Sequence, residues 1–357
     1  MKYLMLSCVV LFSGCLLGND FEESDVSVTL SSPTATSAYI VLEHRLGDRI
    51  FRLFRYFAEG GELEFLATMR NGTSYLDTGL QPATRYIYRL SYINSDGNEV
   101  FFDKELSIVT SPHIIAHRGY HHGISGSAEN SIQSLRRAAI LGVYGSEFDV
   151  HVTADNIPVV YHDHYINGTD IKIQQVTYDT IRNVTLSNGE RIPTLAEYFE
   201  AARTLDIQLF LDLKPHFSWN RDEEIVQIVS DKVRYFGLEN RVTFLVTRSY
   251  LMGHPIVGRY FKERVGVLFG QNAYLEPSKA KALGFSMVAY HYNVLLANPE
   301  YFCVARSLGL TLAVWTLNDL SLMEDMASHG IRYVITSLPS FAKEFFANRL
   351  VHFHFEM

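Results

Sequence analysis

The chain has 357 residues, 47% of them hydrophobic, and a formal net charge of −8. That length suits two domains, each large enough for its own core. An acidic chain without long Lys/Arg runs argues against a nucleic-acid partner, and an anionic substrate would need local cations to hold it against the overall field.

The first element is the apolar run YLMLSCVVLFSGCLL, residues 3–17, which follows Lys2. It is too short to cross a bilayer comfortably and reads as an export signal, with a short retained anchor as the alternative. LFSGC, ending at Cys15, resembles the lipobox of bacterial lipoproteins, and GNDFEESD after it loosely resembles surface-export signals. The resemblance implies cleavage before Cys15, lipid on that cysteine, and an exported protein anchored to a bacterial membrane, at the outer membrane or cell surface. Residues 1–24 are thus read as signal and linker. Of three cysteines, Cys8 leaves with the signal and Cys15 carries lipid, so a disulfide framework is excluded. Cys303, in the helical pattern YFCVARSLG, is expected to be a small buried apolar residue.

Residues 25–110 alternate apolar and polar positions in short runs such as DVSVTL, SAYIVLEH, IFRLFRYF, LEFLATM, YIYRLSYIN and ELSIVT. Turn signals such as EGGE, RNGTS and SDGNE separate them. Short strands at this spacing predict an antiparallel β-sandwich. The stretch Leu80-Gln81-Pro82-Ala83-Thr84-Arg85-Tyr86 resembles the tyrosine corner of fibronectin type III domains, although both tryptophans lie later in the chain. Such a domain serves as a spacer or as a contact for a glycan or protein.

From residue 113 the pattern changes. Apolar runs (IIAH, SEFDV, LFLDL, RVTFLV, VGVLF, MVAYH, LAVWT, YVITS) alternate with amphipathic helical stretches. Eight βα units predict a closed α/β (TIM) barrel over residues 112–357, with the domain boundary near Ser111-Pro112. One further run, PVVYH, follows SEFDVHV too closely for a parallel crossover and is expected as an antiparallel arm. With a two-residue turn at Asp155-Asn156, that hairpin sets Asp149 opposite His162.

Barrel chemistry gathers at the C-terminal ends of the strands. His117 and Arg118 end the first, Glu147 and Asp149 the second, Asp212 and Lys214 the third, and Trp315 and Asn318 the seventh. His162 folds back over the second. Three carboxylates at one rim repel unless a cation sits among them, and an all-oxygen donor set favours a hard divalent ion, Ca²⁺ or Mg²⁺. Arg118, Lys214 and that ion would hold a phosphoryl group. Two histidines, one on either side, suit a displacement in which one takes a proton and the other gives one. Asp212 lies between apolar residues in LFLDLK, where a charge calls for a partner. His121, His122 and His291 fall near the rim without an assigned role.

The ordered set IIAHRG, AENS, GSEFDVHVTADNIPVVYHDH, IPTLAEYFE, LFLDLKP, AVWTLND and GIRYVITSLP resembles the glycerophosphodiester phosphodiesterases over residues 113–341. That resemblance implies a TIM barrel and a phosphodiester as small-molecule substrate. It assigns the acid/base pair to His117 and His162, the metal to Glu147, Asp149 and Asp212, and phosphate contacts to Arg118 and Lys214. Glu129 and Asn130, in Ala128–Ser131, would shape the loop under the site. The chain departs from the family at three places. Asp212 stands where glutamate is usual, an exchange also seen in sphingomyelinase D-type phospholipases. The segment after His162-Asp163 lacks the usual arginine-threonine-glycine run. Ser337 stands where aspartate is customary. The leading expectation is hydrolysis of glycerophosphodiesters to glycerol 3-phosphate and an alcohol. The alternatives are a lipid phosphodiesterase of the sphingomyelinase D or phosphatidylinositol phospholipase C type, and a non-catalytic barrel that binds phosphodiesters or glycans.

Overall fold

The computed structural model describes residues 26–216, 218–247 and 264–355; Cys15 and the expected signal lie outside them. The N-terminal strands are β1 (Val26–Thr34), β2 (Ser37–His44), β3 (Phe51–Phe57), β4 (Glu64–Met69), β5 (Thr73–Thr78), β6 (Arg85–Ile93), β7 (Glu99–Phe101) and β8 (Leu106–Val109). They form two antiparallel sheets, β1-β2-β5 and β4-β3-β6-β7 with β8 on β6. Period-two alternation turns Val26, Val28, Leu30, Ile40 and Leu42 inward against Phe51, Leu53, Tyr88 and Leu90, all buried. The Gln81 N–H donates to the Tyr86 hydroxyl at 2.8 Å, which ties the Leu80–Tyr86 corner back on itself.

The second unit contains β9 (His113–Ala116), β10 (Gly145–Val152), β11 (Pro158–Val160), β12 (Gln208–Leu213), β13 (Val242–Val246), β14 (Val265–Phe269), β15 (Met287–His291), β16 (Thr311–Trp315) and β17 (Tyr333–Thr336). Eight of these are parallel, and β9 pairs with both β17 and β10, so the sheet closes on itself. β11 is the antiparallel arm on β10. The barrel strands are buried on both faces, under the helices outside and against each other within, which is why they read as apolar runs.

Three expectations need correction. The barrel does not run to the end of the chain. β18 (Leu350–Phe355) returns to the sandwich and pairs antiparallel with β1, from Val26↔Phe355 to Ser31↔Leu350. Phe355 enters the sandwich core, its ring 5.0 Å from Phe102. LVHFHF alternates as a strand should, and β1 would otherwise be an open edge. Cys303 is exposed, because Phe302 and Ala305 take the buried face of helix Glu300–Ser307. Finally, the hairpin register is shifted by one residue from the expected one: β10 and β11 pair Val150↔Val160, His151↔Val159 and Val152↔Pro158. The loop has three residues rather than two. Thr153 N–H donates to Ile157 O at 3.0 Å, and Asn156 takes the left-handed conformation at φ 67°. Asp149 therefore faces Tyr161, and His162 lies beyond the strand's end.

Candidate active site

The barrel interior explains where the site sits. Ile115, Phe210, Leu245, Met287, Ala289, Ala313 and Ile335 fill its middle as one buried apolar cluster. Side chains alternate along a strand, so the residue two positions further on points inward one layer higher. From Ile115 that step leads to His117, from Phe210 to Asp212, from Leu245 to Thr247, from Ala313 to Trp315 and from Ile335 to Ser337. His117, Asp212, Thr247 and Trp315 do line a cavity of about 170 Å³ above this dry floor, together with Arg118, Glu147, Asp149, His162 and Lys214. The structure thus gathers all seven residues expected to bind metal or phosphate or to transfer protons.

Glu147, Asp149 and Asp212 are buried, and each offers an oxygen within 4.8 Å of the other two. Asp149 and Asp212 are register partners on adjacent parallel strands, β10 and β12, so their convergence follows from the pairing. Lys214 Nζ lies 2.6 Å from both Asp149 Oδ1 and Asp212 Oδ2. One ammonium does not neutralise three carboxylates. Burial pushes Glu147 well above the ordinary carboxylate range, and the charges of Asp149 and Asp212 push it further. Burial also acts to raise Asp149, but Lys214, His162 and Arg118 outweigh it and hold that group down at about 2. Asp212 is raised by burial despite Lys214. Its Oδ1 is buried without a hydrogen-bond partner. Three buried carboxylates, one with an oxygen that lacks a partner, form the donor set of a hard divalent ion. The residues fit such an ion.

The turn after β9 is held from several sides. Arg118 is left-handed at φ 54°, rare for a side-chain-bearing residue. Its N–H donates to Glu147 Oε2 at 2.9 Å, and its carbonyl accepts from Asn130 N–H at 3.0 Å. Its Nη1 donates to both Glu129 oxygens at 3.0 Å. Gly119 follows at φ 80°, and a Cβ there would come within 2.3 Å of Ser134 Oγ on helix Ile132–Leu141. Only glycine permits that approach, which is the physical meaning of the third residue in His-Arg-Gly. Asn130 Nδ2 donates to Asp149 Oδ2 at 2.8 Å, so the Glu129-Asn130 loop braces both the arginine and a carboxylate.

The two histidines differ. Burial, with Arg118 beside it, depresses His117 to about 3, so its ring is neutral. His162 is partly exposed, and its Nδ1 lies 2.7 Å from Asp163 Oδ1, which leaves Nε2 for a ligand. Trp315 donates from Nε1 to Ala289 O at 3.2 Å and stands edge-on to His291. Three residues take roles that the sequence reading did not assign them. His117 Nδ1 sits 3.1 Å from Ser337 Oγ. Asn318 Oδ1 accepts from the Ser337 N–H and the Thr336 hydroxyl, which fixes that loop. Buried His151 lies with Nε2 3.2 Å from the His162 carbonyl and steadies the end of the arm. The two-residue step along β17 would have pointed to Ser337; nothing in sequence marks His151 as a brace.

A closed parallel barrel whose C-terminal rim carries buried carboxylates, two cations and two histidines has the make-up of a metal-assisted phosphodiesterase. The comparisons specify which. A model of the glycerophosphoryl diester phosphodiesterase family matches residues 117–340, and the chain belongs to that family. The glycerophosphodiester phosphodiesterase of Caldanaerobacter subterraneus is 26% identical over 240 residues, 63% of this chain and 94% of that one. The bovine glycerophosphodiester phosphodiesterase 1 is 24% identical over 262 residues, 63% of this chain and 77% of the other. A Parabacteroides distasonis glycerophosphodiester phosphodiesterase of known structure is 39% identical, with a TM-score of 0.61 over 66% of this chain and 96% of that one. An Oleispira antarctica phosphodiesterase, solved with its product sn-glycerol-3-phosphate, shares the fold at 22% identity and a TM-score of 0.56, covering 66% and 96% of the two chains. The protein is an enzyme of the glycerophosphodiester phosphodiesterase class.

Proposed function

We propose that this site hydrolyses glycerophosphodiesters to glycerol 3-phosphate and an alcohol, with one divalent ion, Ca²⁺ or Mg²⁺, on Glu147, Asp149 and Asp212 and with His117 and His162 as the proton-transfer pair. The observation that carries the reading is the single cavity in which three buried carboxylates, Arg118 and Lys214 meet both histidines. When bound, the ion supplies positive charge for the phosphoryl oxygens. Arg118 and Lys214 add theirs: Arg118 is held in place by Glu129 and by the backbone of its own turn, and Lys214 by its carboxylates. His117, neutral and half-buried, takes the proton from the attacking oxygen. As the bond from that oxygen to phosphorus forms, the bond to the leaving alkoxide breaks. His162, on the open side, gives that alkoxide its proton.

Each proton transfer is worth about 10² to 10⁴ in rate. A p-nitrophenolate leaving group needs little protonation. His162→Ala should therefore lose most turnover on alkyl diesters and recover it on a p-nitrophenyl diester, whereas His117→Ala should lose both. Near-native turnover of every diester by both variants would leave only a binding barrel. The chain is further proposed to be exported and lipid-anchored through Cys15, on the basis of the lipobox resemblance; Cys15→Ser should release it from the membrane fraction, and unchanged fractionation would refute this.

A further inference from the structure

The catalytic cavity has a neighbour. A second cavity, of about 530 Å³, opens between the Ser127–Asn130 loop and the segments that follow the His162-Asp163 pair. His162 lines both. Here lies the stretch HYINGTDIKIQQVTYDTIRNVTL, where the chain departs from its family. It folds on a small core of its own: Tyr161, Ile166, Ile173, Ile181 and Ile192, all buried. Two tight turns stand on that core, one closed by Ile166 N–H donating to Ile171 O at 2.9 Å, the other by Leu186 N–H donating to Glu190 O at 2.7 Å. The wall of the second cavity thus stands on its own small core and is tied to the barrel where Glu190 accepts from the Ile132 N–H at 3.0 Å and Gln174 Nε2 donates to Pro215 O at 3.0 Å.

We propose that this annex receives the leaving alcohol, and that the alcohol it suits is an uncharged polyol such as glycerol or inositol rather than a choline or ethanolamine head group. The inference rests on the reading of His162 as the group facing the leaving oxygen. Three features of the lining carry it. Among the described residues that line the annex there is no lysine or arginine; its two histidines are His121, 4.0 Å from Glu129 Oε2, and His162, which faces the leaving oxygen, so an anionic head group finds no permanent counter-charge of its own. Its one carboxylate, Glu129, has both oxygens 3.0 Å from Arg118 Nη1 and is engaged there, so a cationic head group finds no free partner. Among the described lining residues Tyr161 is the sole non-histidine aromatic, too few for the cage that holds quaternary ammonium groups, and its hydroxyl already accepts from Asn167 N–H at 3.1 Å. What remains are neutral hydrogen-bonding side chains at its rim, Ser127, Asn167, Thr185 and Ser187. Such groups discriminate by leaving polar atoms unpaired when the ligand lacks hydroxyls.

The test compares kcat/KM of the full chain for glycerophosphoinositol and glycerophosphoglycerol with that for glycerophosphocholine, in wild type and in Thr185→Val/Ser187→Ala. The polyol esters should be preferred by about tenfold, the worth of one or two net hydrogen bonds. In the double variant the ratio of polyol to choline ester should collapse towards one. Equal or reversed preference in the wild type overturns the inference and leaves the hydrolase intact, as does a ratio that the double variant does not move. No hydrolysis of any diester, with the protein folded and supplied with Mg²⁺ or Ca²⁺, overturns both.

Discussion

Ser337 illustrates how a single residue sets the terms for catalysis. Its hydroxyl is 3.1 Å from His117 Nδ1, and its own backbone N–H is pinned by Asn318 at 2.9 Å. Accepting a proton at Nε2 requires the N–H on Nδ1, and Ser337 Oγ is placed to accept from that N–H. Ser337→Ala should lower kcat by about fivefold with KM little changed, since the bond is worth about 1 kcal/mol; Ser337→Thr, which keeps the hydroxyl, should restore most of it. A KM effect alone would assign Ser337 to substrate binding instead. The same histidine makes a pH prediction. Burial and Arg118 depress His117 to about 3 from its ordinary 6.5, so the neutral base persists as the pH falls. The acid limb of kcat/KM should therefore lie below pH 6.5, displaced downward from the ordinary histidine range. A limb at or above that value would show that His117 is not the base. At the carboxylate triad, Lys214→Ala removes the cation shared by Asp149 and Asp212. Breaking a buried pair costs about 3–5 kcal/mol, so the chelator-treated variant should melt well below wild type, and added Ca²⁺ or Mg²⁺ should restore part of the loss.

The elements carry a different lesson. The eight barrel strands were legible because parallel strands buried on both faces read as apolar runs, and their order fixed which residues end them. His117, Arg118, Glu147, Asp149, Asp212 and Lys214 came together because each lies at such an end. His162 was placed correctly in the cavity although its register was wrong: Asn156 takes the left-handed conformation of a three-residue loop, which a two-residue turn does not foresee. β5 was passed over among the polar residues of Thr73–Thr78, and β18 because its partner, β1, lies more than three hundred residues upstream. Long-range pairing leaves no local trace. That pairing has a measurable weight. Phe355 is buried against Phe102, and Phe355→Ala should cost about 3–5 kcal/mol and lower the melting temperature of the sandwich. A fragment of residues 112–349 should keep the whole barrel, whereas 25–110 alone should lack the strand that covers β1. A fully stable 25–110 would show β18 to be dispensable.

At the scale of the molecule, the sandwich and barrel are fastened by more than the Ser111-Pro112 link. Ser111 N–H donates to Ser32 Oγ at 3.1 Å, Arg306 pairs with Glu59 at 2.9 Å, and β18 crosses from one unit to the other. The contacts from Ser111, Arg306 and Glu59 lie at the barrel's N-terminal side, away from the C-terminal rim. The whole chain thus presents a dry barrel floor, a carboxylate triad set on it, and two histidines in unlike surroundings. The proposed hydrolysis requires a divalent ion on that triad. The direct measurement is turnover of glycerophosphoglycerol by chelator-stripped protein during titration with Mg²⁺ or Ca²⁺, beside Asp149→Asn. Turnover should be lost in the chelator, return with saturation at one ion per chain, and stay at least about a hundredfold down in Asp149→Asn at the same ion concentration. Undiminished hydrolysis in the chelator, or full activity of Asp149→Asn, would contradict the claim.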